Sequence, residues 1–312
     1  MNDPLQQIVP ALQVNYRFRE LKVMRRQPMT ISTERGRKKI RIWDDEPLLK
    51  RHISWRRQLS GGRFFVDRMY ATQSGRLFVP VGRFFLTCHD APRVPASLSG
   101  NEAIWADVCA ALITGIRDAA DDPQRSVLEQ ADRTFSEADR AGLLSGEEGV
   151  LARKSYPTVR KRAELADRLR SAYRKSGRRV ILPEDVSLRK SKALLGTVFI
   201  ELGQSRPVPG CRAFARFFLE WMKEGGTDSI GRLFSHLKKM NVPDRETSDL
   251  IRAEWYEPDE WFRFLENLAH LPNETSERKA VESFETARDR KNRLIRLFDT
   301  FFRPSGTITE SG

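Results

Sequence analysis

The spacing of apolar residues changes near residue 100, and this change constrains the fold more than any other feature. Upstream, apolar and basic residues alternate along RKKIRIW (37–43). Alternation with a period of two is typical of a strand with one buried face, here opposite a basic face. Downstream, apolar residues recur at intervals of three and four, as on one helix face: Ile104, Trp105, Val108, Cys109, Leu112, Ile113 and Ile116. The chain is therefore predicted to be β-containing first and helical afterwards.

Aromatic and β-branched runs at 63–70 and 76–80 are joined by a polar turn that ends in Gly75, which is typical of a β-hairpin. Residues 83–88 are predicted as a further strand. The predicted fold class is mainly α with a small β-containing N-terminal domain (α+β) and a multi-helix C-terminal domain. The predicted domains are a basic β-rich domain at 1–95, an α-helical domain at 100–303 and a disordered tail at 304–312.

Within the helical part, a break is predicted at 155–157, because proline disfavours a helical conformation in the residue before it. A helix over 158–175 follows, and 187–202 is also predicted to be helical despite Gly196. The last long helix is predicted over 275–302.

Basic residues exceed acidic ones, 55 against 42, which gives a formal net charge of +13. The excess lies in residues 1–100 and 151–200, and an acidic stretch at 101–150 separates them. A surface charged only for solubility intersperses both signs. Segregated blocks of one sign create a local potential that attracts phosphate backbones.

This charge pattern predicts non-enzymatic nucleic-acid binding, with DNA slightly favoured over RNA, by an accessory subunit of a replication, mobile-element or phage-defence complex. Contacts to phosphates would make binding sensitive to salt and largely independent of base sequence. Two alternatives stay open: a protein-interaction or scaffold subunit that docks through its aromatic-rich helices, and a divergent metal-dependent nuclease. The predicted nucleic-acid-binding residues are Lys38, Lys39, Arg41, Arg56, Arg57, Arg63, Arg76, Arg83, Arg153, Lys154, Arg160, Lys161, Arg162, Arg174, Lys175, Arg178, Arg179, Arg189 and Lys190.

Signatures of catalysis are weak. The sequence contains no P-loop, no GxGxxG and no CxxC. The doublet His89-Asp90 has the form used by metal-dependent phosphohydrolases, but it closes a strand and not a helix. Glu184, Asp185 and Lys190 are the residue types of a restriction-type nuclease, but the acidic pair is also a helix-start signal. No catalytic residue, metal ligand or cofactor is therefore predicted.

The compartment is predicted to be the cytoplasm. No apolar run approaches the roughly 20 residues of a membrane span, and the first residues lack the features of a secretory signal. Cys88, Cys109 and Cys211 lie too far apart for a zinc site and are predicted to be reduced core thiols.

Overall fold

A computed structural model describes residues 5–59, 62–115, 125–175, 180–270 and 274–302 of this chain. The residue contacts divide it into two units, one of Met1–Ala119 with Ile181–Val208 and one of Ala120–Val180 with Pro209–Gly312. The first unit is thus discontinuous in sequence. The division at 95–100 stays a prediction, and the predicted tail lies outside the described residues.

In the described part of the first unit, six strands precede residue 100: β1 (Lys22–Arg25), β2 (Thr30–Thr33), β3 (Gly36–Trp43), β4 (Phe65–Val66), β5 (Val79–Val81) and β6 (Phe84–Asp90). All except β4 form one antiparallel sheet in the order β1-β2-β3-β6-β5. The central pair sets Ile40 opposite Cys88 and Arg41 opposite Thr87. The strand predictions at 37–43 and 83–88 are confirmed.

Within its described residues, the same unit contains three helices: α1 (Leu5–Tyr16), α2 (Glu46–Gln58) and α3 (Glu102–Gly115). Leu12 of α1 joins the apolar cluster that contains Ile40 of β3. Leu49 of α2 clusters with Trp43, which points to the opposite side of the same strand. The sheet is therefore covered on both faces, and the predicted basic face is wrong, because Arg41 is only 4% exposed.

The start of α2 follows from its sequence. Asp45 caps the helix, since its side chain accepts a hydrogen bond from the backbone N–H of Leu48. Buried positions then recur at Leu49, His52 and Arg56, which places two polar side chains on the inward face. That face forms one wall of the site described below.

Four more strands lie in the returning segment: β7 (Ile181–Pro183), β8 (Lys192–Leu194), β9 (Thr197–Ile200) and β10 (Pro207–Pro209). β8 and β9 form a hairpin, β4 pairs in parallel with β9, and β7 pairs with β10. The predicted helix at 187–202 is wrong, because Leu195 and Gly196 adopt positive φ and turn the chain back. The predicted hairpin of 63–70 with 76–80 is also wrong, because β4 pairs with a strand far along the chain.

The second unit consists of helices: α4 (Val127–Arg140), α5 (Gly146–Lys175), α6 (Arg212–Lys239), α7 (Arg245–Tyr256), α8 (Asp259–Leu268) and α9 (Glu274–Phe302). Aromatic side chains fill its interior; the rings of Trp255 and Phe298 lie 5.1 Å apart. The predicted helix break at 155–157 is wrong, because α5 continues through Pro157. Tyr156 stacks on Phe135 there at a ring distance of 3.9 Å.

The prediction of a mainly α fold with a small β-containing domain is wrong. The N-terminal part carries a five-stranded antiparallel sheet, and the described residues contain five further strands outside that sheet, four of them inside the region predicted to be helical. The chain is an α+β protein with a helical second unit. None of the helices in the described ranges combines the length and apolar character needed to span a bilayer.

Candidate functional site

Asp67, the residue that follows β4, lies at the centre of a buried charged cluster in the first unit. Its Oδ2 accepts hydrogen bonds from Nη2 of Arg41 at 2.8 Å and Nη2 of Arg56 at 3.0 Å. Its Oδ1 accepts the backbone N–H of Leu202 at 3.0 Å. Burial by itself would raise the pKa of this carboxyl, but the charges of Arg56 and Arg41 hold it below the ordinary value. The cluster therefore contains a carboxylate between two guanidinium groups.

Arg56 joins α2 to this cluster and is 4% exposed. Its Nε donates to the carbonyl of Asp67, and its Nη2 donates to Asp67 Oδ2 and to the carbonyl of Gly203 at 3.2 Å. Its Nη1 donates to Nδ1 and to the carbonyl of His52. All five N–H donors of a guanidinium are thus used.

Two buried histidines are neutral, and their neighbours select the tautomer of each. Arg56 donates to Nδ1 of His52, so Nε2 carries the proton and donates to the carbonyl of Ser205 at 2.9 Å. Nδ1 of His89 donates to the carbonyl of Asp67, and its Nε2 accepts the hydroxyl of Thr87. Burial, followed by Arg56, lowers the pKa of His52 to about 4. Burial lowers the pKa of His89 to about 3 against the opposing charge of Asp67.

These histidines predict a steep loss of stability in mild acid. Near pH 5.5 the unfolded chain protonates both side chains, whereas the folded chain keeps them neutral until the pH approaches 4. Unfolding then takes up close to two protons, so this pair lowers the free energy of unfolding by about 2.5 kcal/mol per pH unit as the pH falls. Urea titrations between pH 5 and 7.5 measure this slope.

His52→Gln keeps an acceptor for Arg56 and a donor for Ser205, and we expect it to remove about half of the slope. A free energy of unfolding that stays constant between pH 5 and 6 in the wild-type chain would show that the two histidines titrate normally.

Glu201 directly follows β9 and meets the cations of β3. Nζ of Lys39 donates to Glu201 Oε2, and Nη2 of Arg41 lies 3.4 Å from the same oxygen. The side chains of Lys39 and Glu201 are 22% and 28% exposed, in contrast to the buried Asp67. Since solvent reaches this pair, an anion or a cation from solution can reach it as well.

Asp185 lies two residues after β7, and the turn that follows β9 holds its carboxylate. Its Oδ1 accepts the backbone N–H of Ser205 at 3.1 Å and the hydroxyl at 2.5 Å, and its Oδ2 accepts the N–H of Gln204 at 2.9 Å. Gly203 has φ +75°, and a Cβ there would lie 2.0 Å from Oδ1 of Asp185, so only glycine permits this approach. Burial alone would raise the pKa of Asp185, but the bonds from Ser205 and Gln204 hold it below the ordinary value.

Of the basic residues singled out from the sequence, the structure brings Lys39, Arg41 and Arg56 together around Asp67 and Glu201. Lys38 is buried and pairs with Asp90 and Tyr70. The other predicted residues of the first unit are exposed: Arg57, Arg63, Arg76, Arg83, Arg189 and Lys190. Among them, Arg63 pairs with Asp107, and Arg83 lies over the ring of Phe84.

In the second unit, Arg162 is turned inward, where its Nη1 meets Glu260 at 2.5 Å. Arg153 pairs with Asp139 and Arg160 with Asp132. Lys154, Lys161 and Lys175 are exposed, Arg174 is half-buried, and Arg178 and Arg179 lie outside the described residues.

Sequence reasoning missed Asp67, Glu201 and the anchoring role of His52. A signal was present: an acidic residue directly follows an apolar, β-branched or aromatic run in FFVD (64–67) and in VFIE (198–201). Carboxylates at strand ends are typical of ligand-binding and catalytic sites. In the part of the chain that the structure describes, no group of three or more His, Cys, Asp or Glu side chains could hold a metal ion.

Comparison of the sequence with protein families and with curated proteins finds no match. The fold, however, is similar to solved structures. One is an aminoglycoside phosphotransferase from Alicyclobacillus acidocaldarius, with a TM-score of 0.65 and 13% identity over 96% of this chain and 97% of that chain.

Two others are structures of the spectinomycin phosphotransferase APH(9)-Ia, each with a TM-score of 0.56. The complex with ADP and spectinomycin is 10% identical over 93% of this chain and 98% of that one. The AMP-bound complex is 13% identical over 95% and 98%. At such identities the likeness establishes the fold, which is the α+β arrangement of these phosphotransferases.

The prediction of a non-enzymatic nucleic-acid-binding subunit is wrong. Nearly the whole chain has the fold of an aminoglycoside phosphotransferase and of a spectinomycin phosphotransferase, the latter in complexes with ADP and spectinomycin and with AMP. The predicted DNA or RNA partner and the role in phage defence are overturned with it. The physical reason is visible in the cluster: Lys39, Arg41 and Arg56, which were counted as free positive charge, have carboxylate partners.

Proposed function

We propose that this chain is a kinase-like phosphotransferase that uses a nucleotide as donor and a small molecule as acceptor. The fold supports this proposal, and so does what its structural neighbours are named for: phosphotransferases, one of them bound to ADP and AMP. The proposal includes a cytoplasmic location, where such donors are abundant. The three cysteines, which are free and buried, agree with it.

One observation carries the proposal: Lys39 of β3 contacts Glu201 directly after β9, and the turn that follows Glu201 holds Asp185, two residues beyond β7. Protein kinases place a phosphate-binding Lys on their third strand, an Asp that holds Mg²⁺ after a later strand, and an Asp in the catalytic loop that accepts the proton of the substrate hydroxyl. The residue types agree, with Glu201 in place of the metal-binding Asp.

The donor set fits one divalent cation carried by a nucleotide. Mg²⁺ is usually bound through one or two carboxylates plus substrate phosphates and waters. Glu201 offers one partly exposed carboxylate. Lys190 stands five residues after Asp185, where the kinase signature has a metal-binding Asn, and an ammonium cannot serve as a ligand. A cation bound there would neutralise charge on the phosphates.

The roles of the protein side chains follow from their chemistry. Lys39 contacts a phosphate oxygen once a nucleotide replaces Glu201 as its partner. Asp185 keeps one lone-pair position on Oδ2 after its bonds to the turn, and with it orients the acceptor hydroxyl. Because the transition state of phosphoryl transfer is loose, positioning contributes more than base strength. A carboxylate of low pKa is adequate for that task.

A second candidate function is nucleotide binding without transfer. Two differences from the protein-kinase signature favour this second function. Lys190 stands where the signature has its metal-binding Asn, and residues 26–29 between β1 and β2 are Arg-Gln-Pro-Met, without the glycines of a kinase phosphate loop. Both functions need Lys39, so they differ only in turnover.

The experiment measures ADP binding to the full chain by calorimetry with Mg²⁺ or with EDTA, and then ADP release from ATP with a panel of amino- and hydroxyl-bearing small molecules. We expect Mg²⁺ to strengthen binding and at least one acceptor to stimulate ADP release. Binding without release for any acceptor would leave the second candidate, and absence of binding would refute both.

Lys39→Met tests the contact that carries the proposal. We expect at least a tenfold loss of ADP affinity, because a charge-assisted contact to phosphate is removed. The matched control is Lys50→Met on α2, whose ammonium forms an exposed pair with Glu46. If the two variants lose affinity equally, Lys39 does not contact the nucleotide.

A further inference from the structure

Arg56 connects three elements that the proposed chemistry depends on. From α2 it reaches Asp67 beyond β4 and the carbonyl of Gly203 beyond β9. His52, one turn earlier on the same helix, donates to the carbonyl of Ser205. Side chains of the helix therefore bind carbonyl groups of the turn at 203–205, while Asp185 binds N–H groups of the same turn.

The segment between Glu201 and Arg206 is anchored at successive residues. The N–H of Leu202 is held by Asp67, and the N–H groups of Gln204 and Ser205 are held by Asp185. The side chain of Gln204 donates to the carbonyl of Ile42 at 3.0 Å. Any movement of this segment displaces both carboxylates of the candidate site.

The ion-pair cluster that joins α2 to β3 through Asp67 has the reverse arrangement of charges from that in protein kinases. There, a Lys of the third strand pairs with a Glu of the helix that follows it. Here the helix provides a cation, Arg56, and a second cation, Arg41, comes from β3. The shared carboxylate, Asp67, belongs to neither element. Side-chain exposures of 4%, 4% and 2% place all three groups away from water.

Burial determines how costly it is to break an ion-pair cluster of this kind. A half-exposed ion pair can exchange partners with water at little cost, whereas removing one partner from a buried cluster leaves an uncompensated charge. Arg56 also cannot release its proton to relieve the charge. The link is therefore suited to hold the helix in one position, not to switch it.

We infer that Arg56 is the positioning residue that sets Glu201 and Asp185, acting through Asp67, His52 and Gly203, and that α2 is held permanently in its active position. This inference rests on the proposed function for its consequence in catalysis, but its structural content does not. The site would then be regulated by its ligands and not by movement of this helix.

Native-state hydrogen exchange on the wild-type chain tests the permanent link without a variant. We expect the hydrogen-bonded amides of Leu202, Gln204 and Ser205 to exchange only through the opening that exposes the centre of β3. Exchange of these three amides that is ten times faster than that of Ile40 and Arg41 would overturn the inference.

Arg56→Lys keeps the charge beside Asp67 but cannot reach all five acceptors. We expect at least tenfold faster exchange at Leu202, Gln204 and Ser205 with the rest of the first unit unchanged. We also expect transfer to lose at least tenfold in kcat with little change in KM for the nucleotide. The matched control is Arg57→Lys at the exposed neighbouring position.

A merely structural role for Arg56 would instead accelerate exchange evenly across the unit. If Arg56→Lys does not fold, His52→Leu removes the donor to the carbonyl of Ser205 while Arg56 keeps its bonds to Asp67 and Gly203, and faster exchange confined to Ser205 is expected. Unchanged exchange in the variant that folds would overturn the inference. The hydrogen-exchange readouts need no turnover, so a chain that binds nucleotide without transfer would refute the proposed function and leave the exchange test intact.

Discussion

Asp67→Asn is expected to destabilise the first unit by about 3–5 kcal/mol, because it removes the charge that compensates two buried guanidinium groups. Arg41 and Arg56 are each 4% exposed, so water cannot replace the lost carboxylate. The amide also turns a hydrogen-bond donor toward one of its neighbours, which are all donors. Urea denaturation followed by circular dichroism measures the loss.

Asp107→Asn is the matched control, since it breaks an exposed pair with Arg63 and is expected to cost less than about 1 kcal/mol. Adding Arg41→Gln to Asp67→Asn removes one uncompensated charge and is expected to recover part of the loss. Equal costs for Asp67→Asn and Asp107→Asn would contradict the view that the cluster depends on this carboxylate.

Asp185→Asn is expected to lower kcat for phosphoryl transfer by about 10²- to 10⁴-fold, the range for a positioned acid–base group. ADP affinity is expected to change much less, because Lys39 and not Asp185 contacts the phosphates. ADP release measured with the best acceptor reports kcat, and calorimetry reports affinity.

The pKa of Asp185 lies below the ordinary value, so the group stays ionised above pH 5 and kcat is expected to be flat between pH 5 and 7. Glu184→Gln is the control at the neighbouring exposed carboxylate and is expected to leave kcat within twofold. A transfer rate that survives Asp185→Asn would show that the residue only anchors the turn.

Local patterns predicted the elements whose contacts lie nearby in sequence and those whose apolar periodicity continues over many residues. β3 and β6 follow from alternation and aromatic runs, and α3 follows from its apolar stripe. The segment 187–202 was mispredicted, because apolar spacing compatible with a helix also fits two short strands around a turn. The turn at Leu195 and Gly196 was the competing signal.

The candidate site could be predicted only in part. Its cations were identified, but they were assigned to a different ligand because their partners are distant in sequence. Lys39 meets Glu201, and Arg41 meets Asp67. A net charge of +13 does not distinguish a guanidinium in solvent from one buried beside a carboxylate.

The amino-acid sequence specifies where the basic and acidic residues stand, the periodicity of the long helices and the alternation in the N-terminal strands. The pairing of β4 with β9 is visible only in the three-dimensional fold, and it brings Asp67 beside Leu202 and within reach of Arg56. The physical reason is that secondary structure depends on neighbours a few residues away, whereas ion pairs and hydrogen bonds depend on distance in space and on exclusion of water.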